Sequence, residues 1–220
     1  MTGDRSIRRK YMSTSNNYRT GIMPTWCPGC NNFLAYAQIQ RVLKENNIES
    51  HNLVFCFDIG CSGNMADFLN CYGFHGLHGR ATATAMGIKL INPNLTVCVY
   101  GGDGGTYGEG LNHLIAAARA NSDIKVIVSN NFLYSLTTGQ TSPTTPQCAK
   151  TKSTPLGNPN LPIDPVKLIK TINPDVFVET VLSTDMPAMT KAFDELFKHQ
   201  GFGLLDISMI CLAFGKQLAS

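Results

Sequence analysis

The sequence predicts an α/β fold built on a mostly parallel sheet flanked by helices. Three observations predict it. Short apolar runs over residues 53–58, 95–100, 124–129 and 203–210 have the length and content of buried strands. Amphipathic segments of helical period, such as residues 31–46 and 185–199, lie between them. Residues 95–131 also run through an apolar stretch, a glycine-rich break, a helical segment and a second apolar stretch. A right-handed crossover of that kind makes its two strands parallel, with their carboxyl ends on one edge of the sheet.

The composition sets limits. With 220 residues, 43% hydrophobic and 15% charged, the chain can bury one sizeable core. The balance of 18 basic and 15 acidic residues gives a net charge of +3, too mild to argue for nucleic acid. No apolar run approaches bilayer length, and the start MTGDRSIRRKYMSTSNNYRT lacks the hydrophobic stretch of a secretory signal. The expectation is an intracellular, cytoplasmic protein. Residues 1–22 read as a flexible or partner-binding arm, with a transit peptide left open, and residues 23–220 as a single domain.

The first motif after the arm is Trp26-Cys27-Pro28-Gly29-Cys30, just before the helical segment 31–46. A CxxC there suits a redox dithiol, half a zinc site or half an iron–sulfur site. The strand 53–58 then runs into Ile59-Gly60-Cys61-Ser62-Gly63. The segment Tyr72-Gly73-Phe74-His75-Gly76-Leu77-His78-Gly79-Arg80-Ala81 reads as a loop leading into a small-residue helix.

The central stretch carries the strongest signal. Gly101-Gly102-Asp103-Gly104-Gly105 follows the strand 95–100, and a helix starting near Thr106, with Leu111, Leu114, Ile115 and Ala118 on one stripe, follows it. The next strand ends in Asn130-Asn131. Asp103 and Asn131 thus face one crevice and offer the hard oxygen ligands that hold magnesium beside a phosphate. Glycines allow close backbone approach, and a helix start favours an anion. Neither a Walker loop nor a dinucleotide fingerprint fits the spacing. After Gln140 comes a Pro- and Thr-rich loop, then a helix over 164–172, a strand over 176–180 and a helix over 185–199.

Gly102-Asp103-Gly104, Asn130-Asn131 and Tyr134-Ser135-Leu136-Thr137-Thr138-Gly139-Gln140-Thr141-Ser142-Pro143-Thr144 together resemble the thiamine-diphosphate motif of the beta subunits of 2-oxoacid:ferredoxin oxidoreductases. The resemblance implies the diphosphate-binding half of a thiamine-diphosphate-binding fold. It implies magnesium on Asp103, Asn131 and the Leu133 carbonyl, with Ile59, Gly60, Cys61, Ser62, His78, Gly104, Gly105, Ser135 and Leu136 lining the cofactor. His75 is left out, because the Gly-X-His-Gly-Arg-Ala pattern centres on His78.

Eight cysteines are present. Those in an intracellular chain suggest metal or redox chemistry. Cys27, Cys30, Cys61 and Cys211 can meet at one sheet edge, where soft thiolates suit a [4Fe–4S] cluster, although scattered structural thiols would also fit the spacing. The resemblance favours the cluster. Cys56 and Cys98 lie inside strands and read as small buried hydrophobes; Cys71 and Cys148 match no family position.

The family's chemistry is coenzyme A-dependent oxidative decarboxylation of a 2-oxoacid, with electrons passed to ferredoxin. It implies an alpha subunit that supplies the activating glutamate, a ferredoxin or ferredoxin-like subunit, and a dimer of alpha–beta pairs. Thr138 stands where 2-oxoglutarate enzymes often carry lysine, and Asn64 where a basic residue is common. Their neutrality leans toward pyruvate or a branched or mixed 2-oxoacid, since a dicarboxylate calls for cations. Gly105 replaces an acidic residue of many members. A thiamine-dependent subunit without a cluster, and a zinc-binding structural module, are the alternative readings.

Overall fold

The computed structural model describes residues 17–218. In chain order its strands are β1 (Leu53–Phe57), β2 (Tyr72–His75), β3 (Thr96–Gly102), β4 (Lys125–Asn130), β5 (Leu133–Tyr134), β6 (Gln140–Thr141), β7 (Phe177–Leu182) and β8 (Gly203–Ser208). Six of them form one parallel sheet in the order β2-β1-β3-β4-β8-β7, while β5 and β6 make a small antiparallel hairpin beyond β4. The helices are α1 (Asn32–Glu45), α2 (Ala81–Ile91), α3 (Leu111–Arg119), α4 (Pro165–Ile172) and α5 (Met186–Lys198).

The sheet has a core on each face. Ile39, Val42 and Leu43 of α1 and Met189, Phe193 and Leu196 of α5 pack with Leu53, Phe55 and Phe57 of β1 and with Tyr100 and Ile127. On the other face Ala81 and Ala85 of α2, Leu114 and Ala118 of α3 and Ile169 of α4 pack with Cys56, Val97, Val99, Val126 and Val128. Alternate residues of one strand therefore enter opposite cores, which is why β1 reads as an unbroken apolar run. Two helices start on aspartate caps: Asp164 accepts from the Lys167 amide at 2.9 Å and Asp185 from the Ala188 amide at 3.1 Å.

Strand order fixes the site. The chain passes from β1 outward to β2, then returns to place β3 on the other side of β1. The crevice outside the carboxyl ends of β1 and β3 is thus a topological switch point, the usual ligand position in such sheets. Asp103 and the turn after β1 open onto it.

Several details differ from the sequence reading. The helical backbone begins directly after Asp103 as a π-helical stretch, Gly104–Glu109, before α3; the helix start expected at Thr106 comes two residues earlier. Tyr72–His75 is an edge strand, not a loop, and its exposure at all four positions removes the apolar signal. On α3 the buried residues are Leu114, Ala117 and Ala118, so the stripe is rotated from the one expected. Of the arm, residues 1–16 lie outside the described residues. Its last residues do not stand free: Tyr18 is buried, its hydroxyl donates to the Leu43 carbonyl at 3.1 Å, and the Thr20 amide donates to the Phe68 carbonyl at 3.0 Å.

Candidate active site

The site is assembled from three strand ends. At the end of β1, Asp58 is buried and its Oδ1 accepts from the Ile59 amide at 2.7 Å and the Gly79 amide at 2.8 Å. One carboxylate thus joins the turn carrying Cys61 to the turn carrying His78. Gly60 sits at φ +120, a conformation side chains rarely adopt, which frees the chain to fold back above β1. Burial holds the Asp58 carboxyl above the ordinary carboxylate range.

At the end of β3, Asp103 is 1% exposed. Its Oδ2 accepts from the Thr144 hydroxyl at 2.8 Å. Burial pushes its carboxyl up to about 6, against hydrogen bonds from Ser142, Thr144 and the backbone of Asn131 that favour the charged form. The two glycines after it are steric necessities. A Cβ on Gly104 would come 2.3 Å from the Tyr134 ring, and one on Gly105 would come 2.5 Å from the Asp58 carboxylate. π-Helical turns are rare and concentrate at functional sites; the first amides of this one have no partner within the helix.

At the end of β4, the Asn131 side-chain oxygen accepts from the Leu133 amide at 3.2 Å and from the Ser135 hydroxyl at 2.8 Å. Phe132 between them adopts φ +62, an uncommon conformation for a bulky residue. That reversal lets Asn131 and Leu133 line the same cleft.

The cleft spans about 510 Å³, part of it open to solvent. Its wall contains every residue that the resemblance assigned to the cofactor and to magnesium, from the β1 turn (59–62) through His78, Asp103, Gly104 and Gly105 to Asn131, Leu133, Ser135 and Leu136. It also contains Gly102, Ser129, Tyr134 and Thr137, which the sequence reading did not assign. His78 Nδ1 lies 3.2 Å from Glu109, in ion-pair range but without hydrogen-bond alignment, and Glu109 in turn accepts from the Tyr134 hydroxyl at 3.1 Å. His75 stands exposed on β2, outside the cleft.

Two features fit the cleft to a metal–diphosphate group. Asp103 is a buried carboxylate stabilised by hydrogen-bond donors with no cation among them, the condition a divalent ion would relieve. The Ser62 hydroxyl is buried on the wall without a hydrogen-bond partner. Buried polar atoms are normally paired, so this one suits a ligand oxygen or nitrogen.

A second, more apolar cavity adjoins the first. Cys27, Cys30, Cys61 and Cys211 all line it, with Trp26, Met209 and Leu212. A turn closed by the Cys30 amide on the Cys27 carbonyl, at 3.0 Å, brings the first pair together, and the Trp26 indole donates to the Cys61 carbonyl at 2.6 Å. Burial, then the neighbouring Cys30, Cys211 and Cys27, push the Cys61 thiol up to about 11. Burial also raises Cys30, with Cys27 and Cys211 adding to it. Among the described residues, no three His, Cys, Asp or Glu side chains are arranged around a single ion. The four thiols share the lining of this one cavity. Cys56 and Cys98 are buried inside strands, as expected, and Cys148 is exposed.

Comparison with known proteins agrees with this geometry. Residues 58–207 match the thiamine pyrophosphate enzyme, C-terminal TPP-binding domain. A 2-oxoacid:ferredoxin oxidoreductase subunit beta from Saccharolobus solfataricus is 40% identical over 188 residues, 84% of this chain and 61% of that protein. The 2-oxoglutarate synthase subunit KorB from Archaeoglobus fulgidus is 40% identical over 194 residues, 88% of this chain and 72% of the relative. A solved 2-oxoglutarate:ferredoxin oxidoreductase from Magnetococcus marinus, with 2-oxoglutarate, coenzyme A and succinyl-CoA bound, superposes with a TM-score of 0.88 at 32% identity, covering 93% of this chain and 70% of that one. The chain spans about three fifths of the length of the Saccharolobus protein. With the parallel sheet, the switch-point cleft and the Asp103–Asn131 pair, these matches place the chain in the family of 2-oxoacid:ferredoxin oxidoreductase beta subunits, which carry a thiamine-pyrophosphate-binding domain.

Proposed function

We propose that residues 23–220 act as the thiamine-diphosphate-binding domain of a coenzyme A-dependent 2-oxoacid:ferredoxin oxidoreductase, with magnesium on Asp103, Asn131 and Leu133 and a [4Fe–4S] cluster on Cys27, Cys30, Cys61 and Cys211. One observation carries this reading. The cofactor cleft and the thiol-lined cavity share a wall, because Cys61, Asn131, Ser135 and Leu136 line both. A centre that gives up electrons and one that takes them would therefore be neighbours. A thiamine subunit without a cluster has no use for the second cavity, and a zinc module has none for the first.

When bound, thiamine diphosphate supplies an electron sink for decarboxylation, and the cluster supplies an acceptor for single electrons. The protein's own residues position these groups. Asp103 and Asn131 would offer hard oxygens to the metal, and the amides that open the π-helical turn would be donors for the diphosphate. Asp58 locks the two turns that carry Cys61 and His78, and Trp26 holds the Cys61 backbone. The activating glutamate is assigned to a partner alpha subunit, with ferredoxin or a ferredoxin-like subunit as electron acceptor, in a cytoplasmic dimer of alpha–beta pairs. No helix among the described residues is long and apolar enough to cross a membrane.

The substrate is proposed as a dicarboxylic 2-oxoacid. Neutral Thr138 and Asn64 favour pyruvate or a branched 2-oxoacid when positions are read one at a time. In the structure, however, the Lys152 ammonium donates to the Thr138 hydroxyl, and the Lys152 amide donates to the Gly139 carbonyl at 3.1 Å. A cation from another loop thus sits on Thr138, the residue after the cleft-lining Thr137, although Lys152 and Thr138 themselves lie outside the cleft lining. Several relatives, including the solved structure, are named for 2-oxoglutarate.

Anaerobic mixing of the alpha–beta complex with a 2-oxoacid and coenzyme A tests the function. Substrate-dependent bleaching of the cluster's visible absorbance supports it. Carbon dioxide release without bleaching would assign the chain to the non-redox thiamine enzymes.

A further inference from the structure

We propose that Thr144 and Thr145 are positioning residues for the metal. Together they set the spacing between the segment that carries Asp103 and the one that carries Asn131 and Leu133. The inference rests on reading the cleft as a magnesium–diphosphate site.

The two threonines are consecutive and buried, at 4% and 0% exposure, yet their hydroxyls reach different segments. Thr144 Oγ1 lies 2.8 Å from Asp103 Oδ2 and 2.9 Å from Asn130 Oδ1, so it touches the ends of both β3 and β4, with one proton to give to either. Its single proton goes to the stronger acceptor, the ionised carboxylate. Thr145 Oγ1 donates to the carbonyl of Phe132, the residue with reversed backbone between the two ligands on that side. It also accepts from the Ser142 amide at 2.8 Å.

The pair is held rigidly from behind. Asn158, 2% exposed, donates from its side chain to the Thr145 carbonyl at 2.9 Å. Its backbone exchanges 2.8 Å hydrogen bonds with Ala149 and Cys148. The Pro- and Thr-rich loop over residues 142–163 is thus a strut braced on itself whose end presses two hydroxyls onto the two ligand segments. Rigid support of that kind matters for magnesium, which demands near-ideal octahedral geometry, and matters less for calcium, which accepts irregular oxygen sets.

That contrast separates positioning from simple packing. In the alpha–beta complex, thiamine-diphosphate binding is measured by calorimetry with Mg²⁺ and, separately, with Ca²⁺. Thr144→Ala should weaken Mg²⁺-supported binding about tenfold, the size of one lost hydrogen bond to a charged group. It should weaken Ca²⁺-supported binding less, and Thr144→Ser should return the Mg²⁺ value close to that of the unchanged complex. Thr145→Val acts on the other segment and should show the same Mg²⁺-selective loss, which serves if Thr144→Ala does not fold. Equal loss with both ions, or no loss in folded variants, would overturn the proposal. If the unchanged complex binds thiamine diphosphate with neither ion, the metal-site reading itself fails and the proposal falls with it.

Discussion

The indole Nε1 of Trp26 donates a 2.6 Å hydrogen bond to the backbone carbonyl of Cys61. Trp26 belongs to the segment that opens the CxxC, and Cys61 to the turn that lines the cofactor cleft, so one bond ties the thiol-bearing segment to the cofactor wall. Its ring sits edge-on to Phe33, Tyr36 and Phe68, with centroids 5.2, 5.9 and 5.1 Å away, which fixes the direction of the N–H.

Trp26→Phe keeps most of this aromatic packing and removes the donor. The change should cost about 1–3 kcal/mol of stability, the range for a polar group left unpaired, and should speed iron loss in air. Thermal melts and timed iron assays check it. A variant that melts with the unchanged complex and keeps its iron would show that the tie is dispensable.

The buried Asp103 carboxyl gives a pH signature. Its value is raised from the usual carboxylate range to about 6 by burial. A carboxyl raised on folding stabilises the metal-free chain below its unfolded value, and that contribution is lost as pH rises through about 6. Metal binding needs the ionised form and acts in the opposite direction. The rise in melting temperature on adding Mg²⁺ and thiamine diphosphate should therefore be full near neutral pH and shrink as pH falls through about 6. Melts with and without cofactor across this range check it, and an increment independent of pH would mean that Asp103 is not the controlling ligand.

Lys152 tests the substrate assignment. Lys152→Met should raise KM for 2-oxoglutarate about tenfold, as expected for losing one charge-assisted contact, while leaving any turnover of pyruvate unchanged. Parallel kinetics on the two acids provide the comparison. Equal effects on both acids, or none on either, would remove Lys152 from substrate recognition.

The parts of the site legible in the sequence are those whose partners are close in the chain or whose residue type admits few uses. Asp103 among glycines and Asn131 at the end of the next strand announced a shared crevice, because strand–helix–strand topology alone brings them to one edge. Cys56 and Cys98 were legible as core residues from the strands that contain them. Asp58, Tyr134, Thr144 and Lys152 were not. Each acts through a contact that only the folded chain creates: Thr144 reaches 41 positions back to Asp103, and Asp58 reaches 21 forward to Gly79. A lone aspartate at a strand end, or one threonine in a Thr-rich loop, carries no local mark of such a partner. Strand β2 escaped notice for another reason, since its exposed edge position leaves no apolar alternation to read.

The central claim is that one chain carries both a thiamine–metal site and a four-thiol cluster site, each with its own ligands. The most direct measurement is iron, sulfide and thiamine-diphosphate content of the anaerobically purified alpha–beta complex, alongside Cys211→Ala and Asp103→Ala. The beta chain should account for about four irons and one cofactor, the content of a single cubane and one site. Cys211→Ala should lose that iron and keep the cofactor, and Asp103→Ala should do the reverse. Thiamine diphosphate without beta-chain iron, or iron indifferent to Cys211→Ala, would contradict the account.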